Sequence, residues 1–154
     1  MKKYLFTLFF CTLLCGCRLE YKDISEDPEY VSLIGTSYSL TTNMYIYGVD
    51  LPPEYGKGID VYIIKPMDIK ITGREIITEE ILELETIIDV QGVRKSINHF
   101  PGFQSIDVVI GVSPYENLTT IPVVMDLKYL ESTKYMKESK DDMGGVAKSE
   151  QSLN

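Results

Sequence analysis

The residues that carry most enzyme chemistry are scarce in this chain. There are three cysteines, Cys11, Cys15 and Cys17, all within the first 17 residues, together with one histidine, His99, and no tryptophan. A disulfide framework or a thiolate metal site is thereby excluded from everything after residue 17, so stability has to come from packing. A single imidazole cannot assemble a histidine zinc site. Neither a Gly-x-Ser-x-Gly elbow nor a His-Glu-x-x-His helix occurs. Gly56-Lys57-Gly58 is too short for a phosphate-cradling loop, and no Lys-Ser/Thr follows it in register. Neither a cofactor nor a metal is expected. Positive charge is short as well, with 15 Lys and Arg against 23 Asp and Glu and a net charge of −8. Without a basic cluster to neutralise phosphates, nucleic acid is not an expected partner, and the same holds for docking of the chain's own surface on anionic lipid.

What is present begins with a leader. Met1-Lys2-Lys3 is a basic start, Tyr4 to Leu14 is apolar, and small residues precede Cys17, which are the three parts of an export signal. The apolar stretch of 11 residues falls well short of the roughly 20 that cross a bilayer. Leu14-Cys15-Gly16-Cys17 resembles the lipobox of bacterial lipoproteins, with Leu14 and Gly16 at the positions that family uses. The resemblance implies that residues 1–16 are a signal peptide. It also implies that Cys17 carries a diacylglyceryl group on its sulfur and an acyl chain, such as palmitate, on its amine. Several chains anchor a protein stably because each buried methylene contributes about 0.8 kcal/mol. Arg18 stands where an inner-membrane lipoprotein of a Gram-negative cell carries Asp, which points to the periplasmic face of the outer membrane in such a cell. Of the 154 residues, removal of the first 16 leaves 138 with a net charge of −10, a length suited to one domain.

Residues 17–30 read as a lipidated tether, since Glu20, Asp23, Glu26, Asp27 and Glu29 surround Pro28 without an apolar period. The carboxylates lack the spacing and central glycine of an EF-hand. Residues 31–130 read as one β-domain, because the dominant hydrophobic period is two. Tyr38 and Leu40 alternate with Ser37 and Ser39, Ile69 and Ile71 with Asp68, Lys70 and Thr72, and Ile106, Val108 and Ile110 share a face opposite Asp107 and Val109. Further strands are expected at 44–47, 59–64, 86–94 and 121–127, with turns at Gly35, Pro52-Pro53, Gly56-Lys57-Gly58, Gly73, Pro101-Gly102 and Ser113-Pro114. Ile77, Ile81 and Leu84 stand at helical spacing behind Thr78 as a cap, so either a short helix or a polar loop fits there. Residues 131–154 read as a disordered tail by composition.

The expected fold is therefore all-β: a small antiparallel barrel or sandwich with at most one short helix. The stretches Gly35-x-x-Tyr38-x-Leu40, Leu84-x-Thr86-x-Ile88-x-Val90-x-Gly92-Val93, Asp107-Val108-Val109-Ile110 and Ile121-Pro122-Val123-Val124 resemble the strand rhythm of SH3-like barrels of bacterial envelope proteins. The chain departs from that pattern where Glu85, not a glycine, precedes Thr86, and in the long insertion between Val49 and Gly73.

Function is read from side chains that suit recognition. Ten tyrosines remain outside the leader; Tyr45 and Tyr47 lie opposite Met44 and Ile46 on their strand, and Tyr55 sits in the loop from Pro52 to Gly58. His99, Phe100 and Phe103 belong to the loop Asn98-His99-Phe100-Pro101-Gly102-Phe103. Aromatic side chains on rigid loops bring large contact area at low entropic cost. Tyr55, His99, Phe100 and Phe103 are the candidate partner-binding residues, and Cys17 is the lipid attachment site. The expectation is a non-enzymatic module, held in the membrane through the lipid on Cys17, that binds an envelope or secreted protein. Two forms fit: an immunity lipoprotein that neutralises a toxin, or an accessory subunit of an envelope machine. The alternative is an envelope hydrolase that uses a pair of carboxylates.

Overall fold

The computed structural model describes residues 20–51, 56, 58–97, 105–113 and 121–139. Nine strands form one sheet: β1 (Tyr21–Asp23), β2 (Ser37–Leu40), β3 (Met44–Val49), β4 (Val61–Pro66), β5 (Ile76–Leu82), β6 (Ile87–Ser96), β7 (Ile106–Ser113), β8 (Val123–Asp126) and β9 (Met136–Glu138). One four-residue helix, α1 (Leu127–Leu130), follows β8, and a 3-10 turn covers Val31–Leu33. Among the described residues the protein is all-β, with one short α-helix.

The strand order is β5-β3-β4-β8-β7-β6-β2-β9, with β1 also paired to β6. Chain length forces this sheet to roll. β2 and β3 stand five positions apart in the order, about 24 Å in a flat sheet, yet residues 41–43 between them reach at most about 15 Å. Residues 83–86 impose the same constraint between β5 and β6. The roll is pinned where these links meet: the Glu85 amide donates to the Leu40 carbonyl at 3.0 Å and the Leu40 amide to the Thr86 carbonyl at 3.0 Å. The Leu84 amide donates to Asn43 Oδ1 at 2.8 Å. Among the described residues the sheet does not close into a continuous ladder, and one pair, β4 with β8, is parallel whereas the other pairs are antiparallel.

The inner face of the roll holds the main core, in which Leu40, Met44, Ile64, Leu82, Ile88, Val108 and Met125 have at most 1% of their surface exposed. α1 packs its Leu127, Tyr129 and Leu130 onto this core. A second, smaller cluster lies on the outer face, where Tyr47, Val49, Val61 and Val124 are covered in part by Leu51, Ile71 and Ile76. Gly48 in β3, which faces the other way from Tyr47 and Val49, permits a close approach of Thr78 and Ile59, since a Cβ would meet Thr78 Oγ1 at 2.5 Å and Ile59 Cδ1 at 2.6 Å.

Several boundaries differ from the sequence reading. Residues 20–30, part of the stretch 17–30 expected as tether, are packed on the domain: Tyr21–Asp23 form β1, which pairs with Arg94–Ser96, Ile24 packs on the core and Tyr30 is buried. The ladder with β6 needs only backbone, so acidic side chains that look solvated are compatible with it. Residues 131–139, expected as part of the tail, are likewise packed on the domain, because β9 pairs with β2 and Met136 enters the core. A single buried methionine leaves no periodic signal. Ile69 and Ile71 belong to no strand; Ile69 is 39% exposed, and Ile71 covers the outer cluster. The segment with helical spacing is β5. A register shift opposite Gly48/Val49 leaves Ile77 without a cross-strand partner, Ile77 and Ile81 are four apart and so satisfy both periods, and Leu84, which completes the helical spacing, lies past the end of the strand. Strand 121–127 ends at Asp126, which caps α1 by accepting the Lys128 amide at 3.1 Å.

Candidate functional site

Two features of the outer surface stand out. The first is a transverse row of charge set by register. Arg94 of β6 pairs with Asp107 of β7, and Asp107 pairs with Asp126 of β8. On the other side of β8, Ile64 pairs with Met125, which brings Lys65 of β4 level with Asp126; Lys65 in turn pairs with Tyr45 of β3. Partners across a ladder point to the same face. The row Arg94, Asp107, Asp126, Lys65 therefore crosses four neighbouring strands on the outer face, while Val108, Met125 and Ile64 point into the core.

Its electrostatics are those of a crowded, half-buried patch. Arg94 Nε lies 3.7 Å from Asp107 Oδ2, too far for a hydrogen bond but close enough for Coulomb attraction. The Tyr21 ring supports the same guanidinium, whose carbon sits 3.8 Å from the ring centroid. Burial raises the Tyr21 phenol above its ordinary value, opposed by Arg94. Burial also raises the Asp107 carboxyl; Arg94 pulls it back down, and the neighbouring Asp126 pushes it up again. Lys65 is lowered by burial against the attraction of Asp126. Asp126 itself has a close cation, with Lys128 Nζ 2.6 Å from Oδ2. Two carboxylates thus face each other across a ladder in unlike environments.

The second feature is the outer margin of β5. This strand ends the sheet order, and Ile77, Ile81 and the adjoining Leu84 are 49%, 46% and 53% exposed. Glu79, Glu80 and Glu83 are exposed between them. Lys70 Nζ reaches Glu79 Oε1 at 3.5 Å. Among the described residues, no backbone hydrogen bond is made to 77–82 beyond the ladder with β3.

The residues singled out from sequence, Cys17, Tyr55, His99, Phe100 and Phe103, all lie outside the described residues. The bases of their loops are described. The Gly56 amide donates to the buried Asp50 carboxylate, and the Leu51 amide donates to Asp60 Oδ2 at 2.7 Å, so the turn after β3 is tied at both ends. After β6, the Ser96 amide donates to the Ser105 carbonyl at 2.9 Å and the Ile97 amide to the Glu20 carbonyl at 2.8 Å. Of the strand tyrosines, Tyr45 is half-buried, whereas Tyr47 is wholly buried with its ring 5.5 Å from that of Tyr45. Tyr47 is thus core and not a contact residue. The charged row escaped sequence reading because four isolated charges acquire meaning only through register. Among the described residues, no group of three or more His, Cys, Asp or Glu is placed to hold a metal. Among the same residues, no helix is long and apolar enough to cross a membrane. No protein-family model, no curated protein and no solved structure matches the chain.

Proposed function

We propose that the chain is a lipid-anchored protein of the bacterial cell envelope that acts by binding another protein and not by catalysis. The address rests on the leader and on Cys17 in Leu14-Cys15-Gly16-Cys17. The observation that carries the binding reading is the clustering of apolar exposure. Three of the eight exposed large hydrophobic side chains among the described residues fall between Ile77 and Leu84, at the sheet's end. Scattered exposed apolar residues are ordinary, but a group on one edge marks a contact surface. An immunity lipoprotein against a toxin and an accessory subunit of an envelope machine both fit such a surface.

The test has two arms. Cys17→Ser should abolish labelling by a fatty-acid analogue and release the protein from membranes; retention of both sinks the address. A photo-crosslinker at position 81 should give an adduct with one envelope or secreted protein, and Ile81→Asp should compete poorly for it; absence of an adduct sinks the binding reading.

A second reading has its own support in the facing pair Asp107 and Asp126, an arrangement suited to acid–base hydrolysis of envelope glycans. Turnover of peptidoglycan by the purified domain, abolished by Asp107→Asn, would establish it in place of the first.

A further inference from the structure

We infer that β5 takes up an extended segment of a partner protein as an added antiparallel strand, and that this segment places a basic residue opposite Glu80 and an apolar residue opposite Ile81. The inference deepens the protein-binding reading and is independent of the anchor.

Edge length comes first. Of the strands that bound the sheet, β1 and β9 have three residues each, whereas β5 has seven. Three residues offer a partner about 10 Å of ladder and seven about 23 Å. Strand addition gains affinity from main-chain hydrogen bonds and specificity from alternate side chains, so the long edge is the one that can be read.

Side-chain alternation then specifies the reader. β5 is register-locked by β3, with Tyr45 opposite Ile81, Ile46 opposite Glu80 and Tyr47 opposite Glu79. Ile81 and Glu79 consequently point to the outer face, and Glu80 to the inner. Glu79 already has a cation in Lys70. Glu80 has no ion pair among the described residues and projects exposed from the rim of the apolar core. A strand laid against β5 presents one residue to Ile81 and the next to Glu80. An alternating apolar and basic segment matches both, and an acidic one opposes both the glutamate and the net charge of −8.

The same charges argue against a second copy of this chain. Antiparallel self-pairing that matches the apolar ends, Ile76 to Leu82, sets Glu79 opposite Glu79. Shifting by one pair sets Glu80 opposite Glu80, and like charges directly opposed destabilise a ladder. The bulge at Ile77 further limits indiscriminate edge pairing.

The test uses the purified mature protein and two blocked heptapeptides, one of alternating valine and lysine and one of alternating valine and glutamate. The lysine peptide should bind about tenfold or more tightly, and amide exchange should slow at alternate positions of 77–82. Glu80→Lys, an exposed change checked by thermal melting, should reverse the preference. Equal binding of the two peptides, protection at β9 in place of β5, or a dimer that protects β5 without peptide would each overturn the inference. A photo-adduct at position 81 with a partner that leaves the amides of β5 unprotected would overturn strand addition while keeping the binding reading.

Discussion

Ser25→Ala tests whether the acidic segment after residue 19 is part of the fold. β1 pairs with the far half of β6 and β2 with its near half, and the chain leaves the ladder between them. The gap falls beside the bulge in β6, between Val90 and Gly92. There the Ser25 hydroxyl takes the place of a strand: it accepts the Val93 amide at 2.9 Å and lies 3.4 Å from the Val93 carbonyl, to which the Ile24 amide donates at 2.9 Å. A Cβ on Gly92 would come within 3.2 Å of this oxygen, so the site has little slack. Alanine leaves the Val93 amide without its acceptor next to a residue that is 1% exposed. An orphaned, largely buried amide costs about 1–3 kcal/mol. For a domain of this size that lowers Tm by roughly 4–12 °C. Urea titration measures the free energy, and amide exchange at Val93 localises it. Unchanged stability with unchanged Val93 protection would refute the reasoning and return residues 20–30 to the status of tether.

Three other substitutions follow from local physics. Glu85 has φ of 69° in the turn between β5 and β6, a conformation that costs an ordinary residue about 1–2 kcal/mol and that asparagine tolerates; Glu85→Asn should raise the urea midpoint at constant m. Tyr47 is fully buried, and its hydroxyl has no partner among the described residues; Tyr47→Phe should be neutral or stabilising by up to about 1 kcal/mol, read by thermal melting, and a loss would reveal a hidden bond. Burial raises the folded pKa of Asp107 above its unfolded value, so the folded state holds that proton more tightly. Stability assigned to this group is therefore present below the ordinary carboxylate range and falls as pH rises through the raised pKa. The difference in unfolding free energy between wild type and Asp107→Asn, measured from pH 3 to 7, should move in the variant's favour as pH increases.

Strand positions were legible where one face is buried and the other wet, as at Tyr38–Leu40 and Ile106–Ile110, because burial enforces alternation. They were not legible at β5, where solvent reaches both faces and a bulge resets the count, nor at β1 and β9, which are held by backbone bonds and a few side chains. The missing glycine before Thr86 proved informative in reverse: Glu85 adopts the left-handed backbone that a glycine would have announced. The charged row could not be found without strand order, since Lys65, Arg94, Asp107 and Asp126 are distant in sequence and meet through one parallel and two antiparallel registers.

The pairing of β1 also sets the protein's reach. Tyr21 already sits in the sheet, four residues after Cys17. Four virtual bonds span at most about 15 Å, whereas an unpaired segment running to residue 30 would have allowed about three times that. With lipid on Cys17, as proposed, the domain rides against the bilayer and diffuses in two dimensions, with little freedom to lean outward. Any partner then has to arrive at the membrane surface to be met. Lengthening the chain between Cys17 and Tyr21 with a flexible insert should widen that capture layer without altering the fold.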